Sequence, residues 1–64
     1  MRPADLRHWR TQLGLTQREV MEAAGNPSPT AWRSWQSWEL GARPVPWYVP
    51  AVMDLVERVI SQPP

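Results

Sequence analysis

The 64-residue chain has no cysteine, no lysine and a single histidine. Without cysteine it can form neither disulfides nor thiolate metal sites, and His8 alone cannot supply the roughly three or four ligands that a metal needs. No apolar run approaches the ~18 residues of a membrane-spanning helix, and the N-terminus lacks the apolar core of a signal peptide. We therefore expect no metal, no cofactor, no membrane partner and a cytoplasmic location.

The chain also lacks the residue sets from which enzymes build active sites. It contains no Ser/His/Asp set, no P-loop and no glycine-rich phosphate loop, and its length leaves little room for a small-molecule pocket. We predict one non-enzymatic domain over residues 1–64. A domain of this size buries only about 60% of the surface that its unfolded chain exposes, so it needs large core side chains or a partner subunit. The five tryptophans are suited to the first role.

The charge balance is nearly neutral, with a formal net charge of +1. All basic residues are arginines, whose planar guanidinium suits phosphate and guanine better than a lysine ammonium does. This usage equally fits a bias in genomic base composition. Charge alone therefore does not decide whether the partner is a nucleic acid.

Glycine and proline divide the chain into segments of helical length, and almost no segment alternates with period two. These features predict an all-α fold. The expected helices span about residues 3–13, 17–24, 29–40 and 47–60, followed by a tail over 61–64. Thr16 and Glu19 have capping-box spacing, and Ser28 with Pro29 forms a candidate helix start. For the fourth helix, a separate turn over 46–49 and a start near Pro50 both remain open.

The second and third segments have the layout of a helix-turn-helix over about residues 16–40. At about 100° per residue, Ala31, Trp35 and Trp38 share one stripe of the third segment, and Trp32 lies at its edge. Such a stripe can anchor the helix while its polar face enters the major groove of DNA. The candidate base-reading residues on that face are Thr30, Arg33, Gln36 and Ser37. An ordinary solvated helix face is the alternative interpretation.

Several motifs carry a family resemblance. Residues 13–17 read Leu-Gly-Leu-Thr-Gln, Gly25 stands at the turn, residues 38–41 read Trp-Glu-Leu-Gly, and Arg43-Pro44 follows. Over about residues 5–46 the chain resembles the XRE (Cro/repressor-type) helix-turn-helix family. The resemblance implies a compact four- to five-helix lambda-repressor-like domain, a phosphate contact from Gln17 and a reading helix that starts within 28–36.

The chain departs from the family pattern between residues 26 and 37, where it is longer by about one helical turn. Either the turn at 26–29 holds the extra residues, or the reading helix is extended. The loop at 43–46 followed by an apolar helix resembles very small phage regulators, including anti-CRISPR-associated autorepressors.

The remaining candidates are contacts that position DNA and a surface for a second subunit. Phosphate contacts are expected from side chains near the two motif helices, namely Gln17, Arg18, Ser28, Arg10 and Arg43, with Arg7 and Arg2 as further candidates. The apolar sector of the fourth segment spans about 160°, more than a small monomer core can cover. It predicts a homodimer interface that includes Val52, Val56, Val59 and Ile60. Simple closure of the monomer core is the alternative.

Together these features predict a sequence-specific regulator that binds double-stranded DNA. A dimer on an inverted-repeat operator would place two reading helices about 34 Å apart. The expected role is a dimeric autorepressor of a phage or mobile-element operon. The alternative is a protein-interaction module with the same fold, such as an antitoxin or a small inhibitor.

Overall fold

The computed structural model describes residues 1–62, and these residues form four α-helices and no strand. The helices are α1 (Pro3–Gln12), α2 (Gln17–Ala23), α3 (Trp32–Leu40) and α4 (Val49–Ser61). The predicted all-α class is confirmed. Of the predicted tail, Ser61 belongs to α4 and residues 63–64 lie outside the described part of the chain.

The start and end of α2 follow the local sequence signals. Thr16 Oγ1 accepts a hydrogen bond from the backbone N–H of Glu19 at 3.1 Å, and the Glu19 carboxylate accepts one from the Thr16 N–H at 2.9 Å. The predicted capping box is thus formed. Beyond α2, Gly25 adopts a φ of 79°, a left-handed conformation that glycine reaches at little cost.

The start of α3 differs from the prediction by about one turn. Residues 29–31 form a turn in which the Ala31 N–H donates to Ser28 O at 3.3 Å, and the helix begins only at Trp32. Ser28 accepts from the Thr30 N–H through its side chain, so it caps this turn and not the helix. The extra residues therefore lie in the connection between α2 and α3, and α3 itself is not extended.

The core is built around the tryptophan stripe of α3. Trp35 is completely buried, and its ring centroid lies 5.8 Å from that of Trp9 and 5.7 Å from that of Trp38. Burying roughly 150–250 Å² of one tryptophan stabilises a fold by on the order of 4–6 kcal/mol. The buried side chains come from every helix and the turn before α3: Leu6, Val20, Met21, Ala31, Trp35, Trp38, Val49 and Val56.

The entry to α4 combines the two alternatives left open by the sequence. Residues 46–49 form a turn closed by the Val49 N–H and Pro46 O at 3.2 Å, and α4 starts at Val49 directly from that turn. Pro50 takes the second helical position, where a missing backbone donor is tolerated.

Trp9 Nε1 donates to Glu57 Oε1 at 2.9 Å and so connects α1 to α4. No helix within residues 1–62 has the length and apolarity to cross a bilayer.

Candidate nucleic-acid interface

The polar face of α3 carries Arg33 outward while Trp35 and Trp38 hold the opposite side in the core. Arg33 is exposed, and Gln36 and Ser37, one turn further along, are half-buried. The Ser37 hydroxyl donates to Arg33 O at 3.0 Å, so its proton is engaged within the helix. Thr30 is exposed but lies in the turn before α3, not on the helix as predicted.

A buried carboxylate fixes α3 against the rest of the domain. Glu39, with a side chain only 4% exposed, accepts Arg10 Nε at 2.7 Å and Arg10 Nη2 at 3.0 Å. It also accepts hydrogen bonds from Trp35 Nε1 and, at 3.3 Å, from Gln17 Nε2. One side chain therefore joins α1, α2 and α3, and we call Glu39 with Arg10, Trp35 and Gln17 the Glu39 cluster.

The electrostatics of this cluster favour the ionised carboxylate. Burial works against ionisation of Glu39, but the hydrogen bonds from Arg10, Trp35 and Gln17 outweigh it and hold the pKa of Glu39 below its usual value. The hydrogen bond to Glu39 raises the pKa of Arg10 against the opposing effect of burial. Both groups are charged at neutral pH.

This geometry corrects the assignment of Arg10 as a phosphate contact. Its guanidinium donates hydrogen bonds to the Glu39 carboxylate and, at 3.0 Å, to Leu15 O, and only 16% of the side chain is exposed. Sequence spacing carries no signal for this pairing, because the two residues stand 29 positions apart. Gln17 was also predicted to contact phosphate. It is half-buried and already donates to Glu39, which holds it at the start of α2.

Within residues 1–62, salt bridges join only Arg10 to Glu39 and Arg58 to Asp54. The other arginines of this part of the chain are exposed and form no salt bridge: Arg2, Arg7, Arg18, Arg33 and Arg43. Cations that lack a carboxylate partner are available to phosphate.

Two grooves bring predicted residues together. A notch of about 220 Å³ is lined by Arg7, Gln17 and Gln36, so it joins a predicted base-reading residue to predicted phosphate contacts. A second groove of about 230 Å³ lies beside the α2–α3 connection and is lined by Arg18, Ser28 and Trp32. Arg43 lines neither groove, because it belongs to the loop that follows α3.

Trp32, which lines the second groove, contacts two arginines in an arrangement that the sequence did not reveal. The guanidinium carbon of Arg33 lies 5.7 Å from the ring centroid of Trp32, and that of Arg18 lies 6.0 Å from the same centroid. Both distances lie within the range of cation–π attraction. The sequence feature that could have indicated this arrangement is the position of Trp32 at the edge of the buried stripe, where the side chain stays half-exposed.

The structure also corrects the predicted dimer surface. Val56 is completely buried in the monomer core because it lies two turns from Val49 on the face that packs inward. Val52 is half-buried against the core, whereas Val59 and Ile60 are 41% and 42% exposed.

An apolar strip remains on one flank of α4 and the residues before it. We call the following residues the α4 strip: Tyr48, Val52, Leu55 and Val59, which recur at helical spacing. Trp47, which is 90% exposed, contacts Tyr48 with a centroid distance of 5.8 Å and so extends the strip. Trp47, Tyr48 and Leu55 were not among the predicted interface residues.

No protein-family model matches the chain, and neither a curated protein nor a solved structure matches it.

Proposed function

We propose that this protein is a sequence-specific regulator that binds double-stranded DNA through α3, in the manner of the XRE helix-turn-helix family. The observation that carries the proposal is the exposed Arg33 on a helix whose other side is locked into the core. The proposed biological role is a dimeric autorepressor of a phage or mobile-element operon.

The position of Arg33 on a rigidly held helix suits it to base reading. Arg33 is the second residue of α3, and the N-terminal residues of a reading helix are the ones that reach base edges in the major groove. Trp35, Trp38 and the Glu39 cluster keep that helix from shifting. A guanidinium held in this way matches O6 and N7 of guanine with two parallel hydrogen bonds. Gln36 is the next candidate along the same face, with adenine as its match.

The exposed arginines without carboxylate partners are the candidates for contacts with the DNA backbone. Arg18 shares a groove with Trp32 at the start of α3, and Arg7 shares the notch with Gln17 and Gln36. Each phosphate neutralised contributes about −0.9 to the slope of log affinity against log salt. Arg10 is left out of this set because its charge is already paired.

The proposed partner for the α4 strip is a second copy of this chain. The strip carries no charge, and the charged pair Asp54–Arg58 lies elsewhere on the helix, joined at 3.3 Å. An uncharged strip does not suit phosphate, whereas a two-fold dimer buries the same strip on both subunits. Leu55 and the exposed Trp47 supply the large apolar contacts that dominate such interfaces. The dimer would present two copies of α3 to an inverted repeat.

The test is duplex binding with DNA from upstream of the protein's own gene, titrated with salt. We expect tight binding that weakens steeply as salt rises, and weaker binding to scrambled duplexes. Arg33→Ala should cost about 1–3 kcal/mol and relax the preference for one base pair. Arg58→Ala is the matched control, because Arg58 is also an exposed helical arginine but lies on α4.

Two results would contradict the proposal. In the first, wild-type protein would show no preference for any upstream duplex over a scrambled one at low salt. In the second, Arg33→Ala and Arg58→Ala would weaken binding equally. The first result would favour the alternative of a protein-interaction module, such as an antitoxin or a small inhibitor. The exposure of Trp47 and Leu55 is the observation that supports that alternative.

A further inference from the structure

Trp32 is the first residue of α3 and the point where two arginines from different helices meet. Arg18 comes from α2 and Arg33 from α3, yet both guanidinium carbons lie within 6.0 Å of the same indole centroid. Neither arginine forms a salt bridge within residues 1–62. Glu22 lines the same groove and does not pair with Arg18 there.

Two like charges near one ring repel each other, so their convergence needs a physical reason. The face of an indole is negative, and tryptophan attracts guanidinium groups more strongly than other aromatic residues do. A free arginine side chain also samples many rotamers, which it must give up when it binds a ligand. A ring that holds both guanidiniums before binding removes part of that cost.

We infer that Trp32 is a positioning residue for DNA recognition, and this inference rests on the proposed function. Its ring holds Arg33 towards the base edges and Arg18 towards the neighbouring backbone, so that base reading and phosphate binding are set by one side chain. Trp32 acts through the two arginines and needs no contact of its own with DNA. Loss of the Trp32 ring should therefore weaken the recognition of guanine by Arg33.

The first test uses the free protein and does not depend on DNA. Protons of an arginine stacked on an indole face move upfield through the ring current, so the δ-protons and Nε–H of Arg18 and Arg33 should be shifted upfield in NMR spectra. Trp32→Leu should abolish the shifts, and Trp32→Phe should keep them in part. The resonances of Arg58, which lies on α4 and pairs with Asp54, serve as the internal control. Unshifted Arg18 and Arg33 resonances in the wild type would overturn the inference.

The second test measures discrimination by comparing the bound duplex with a version in which 7-deazaguanine replaces the guanine read by Arg33. Removing N7 takes away one acceptor of the guanine pair. Trp32→Leu should lower the wild-type discrimination ratio about two- to fivefold, the range that one exposed cation–π contact, the one to Arg33, supplies. Trp32→Phe should lower it less. In an Arg33→Ala background, Trp32→Leu should leave the ratio unchanged.

A merely structural role predicts a different pattern. Trp32→Leu would then weaken binding to both duplexes by the same factor, with an unchanged ratio, and that result would overturn the inference. Circular dichroism melts show whether Trp32→Leu is folded. If it is not folded, the smaller drop of the discrimination ratio expected for Trp32→Phe provides the same test. Upfield shifts without any sequence-specific binding would overturn the proposed function and, with it, the DNA role of Trp32. Specific binding with an unaltered ratio would overturn the role of Trp32 alone.

Discussion

Replacing Glu39 with glutamine should strongly destabilise the fold. Glu39→Gln replaces a carboxylate that is 4% exposed and accepts hydrogen bonds from Arg10, Trp35 and Gln17. The substitution keeps the size of the side chain but removes its charge and one of its acceptor oxygens. The guanidinium of Arg10 then remains largely buried without a counter-charge.

The expected loss follows from what an unpaired buried charge costs. Removing one partner of a buried ion pair typically destabilises a protein by about 3–5 kcal/mol. The amide oxygen of glutamine still accepts one hydrogen bond, so we expect the lower end, about 3 kcal/mol. A domain of this length has a total stability of about 3–10 kcal/mol. Glu39→Gln should therefore lower the melting temperature by about 12–24 °C.

The assay is urea unfolding followed by circular dichroism at 222 nm, because fluorescence would also report the changed contact of Trp35. Asp54→Asn is the matched control. It breaks the other salt bridge of the described residues, but the side chains of Asp54 and Arg58 are 63% and 77% exposed, so the loss should stay near 0.5 kcal/mol or below. Losses for the two variants within about 1 kcal/mol of each other would refute the view that Glu39 anchors the three helices.

Two further predictions concern pH and assembly. Because the pKa of Glu39 is lowered in the folded state, the unfolded chain binds more protons in acid; the stabilisation is present above about pH 4.5 and is lost as pH falls below it. Urea midpoints between pH 6 and pH 3 should thus fall in the wild type and fall less in Glu39→Gln, and equal slopes would contradict this assignment. Leu55→Asp should halve the mass measured by light scattering and leave the helical signal intact, whereas Val56→Asp should unfold the protein because Val56 is completely buried. An unchanged dimer mass for Leu55→Asp would rule out the α4 strip as the interface.

The sequence was most informative where short-range interactions decide the structure. The capping box of Thr16 and Glu19 depends on neighbouring backbone groups, and it forms as predicted. The buried stripe of Ala31, Trp35 and Trp38 follows from helical periodicity alone. Ser28-Pro29 was misread as a helix start because the same residues also begin a turn.

The tertiary structure decided which side chains remain available for binding. Periodicity gives the width of an apolar face but not the part of it that a neighbouring helix covers, so Val56 was placed on the surface and proved to lie in the core. Spacing along the chain likewise cannot show that Arg10 meets Glu39 across 29 residues or that Arg18 reaches Trp32. Local sequence thus determined where the helices of this protein run, because helix ends and faces depend on near neighbours. Packing determined which arginines are neutralised and which stay free, because those pairings require groups distant in sequence to meet in space.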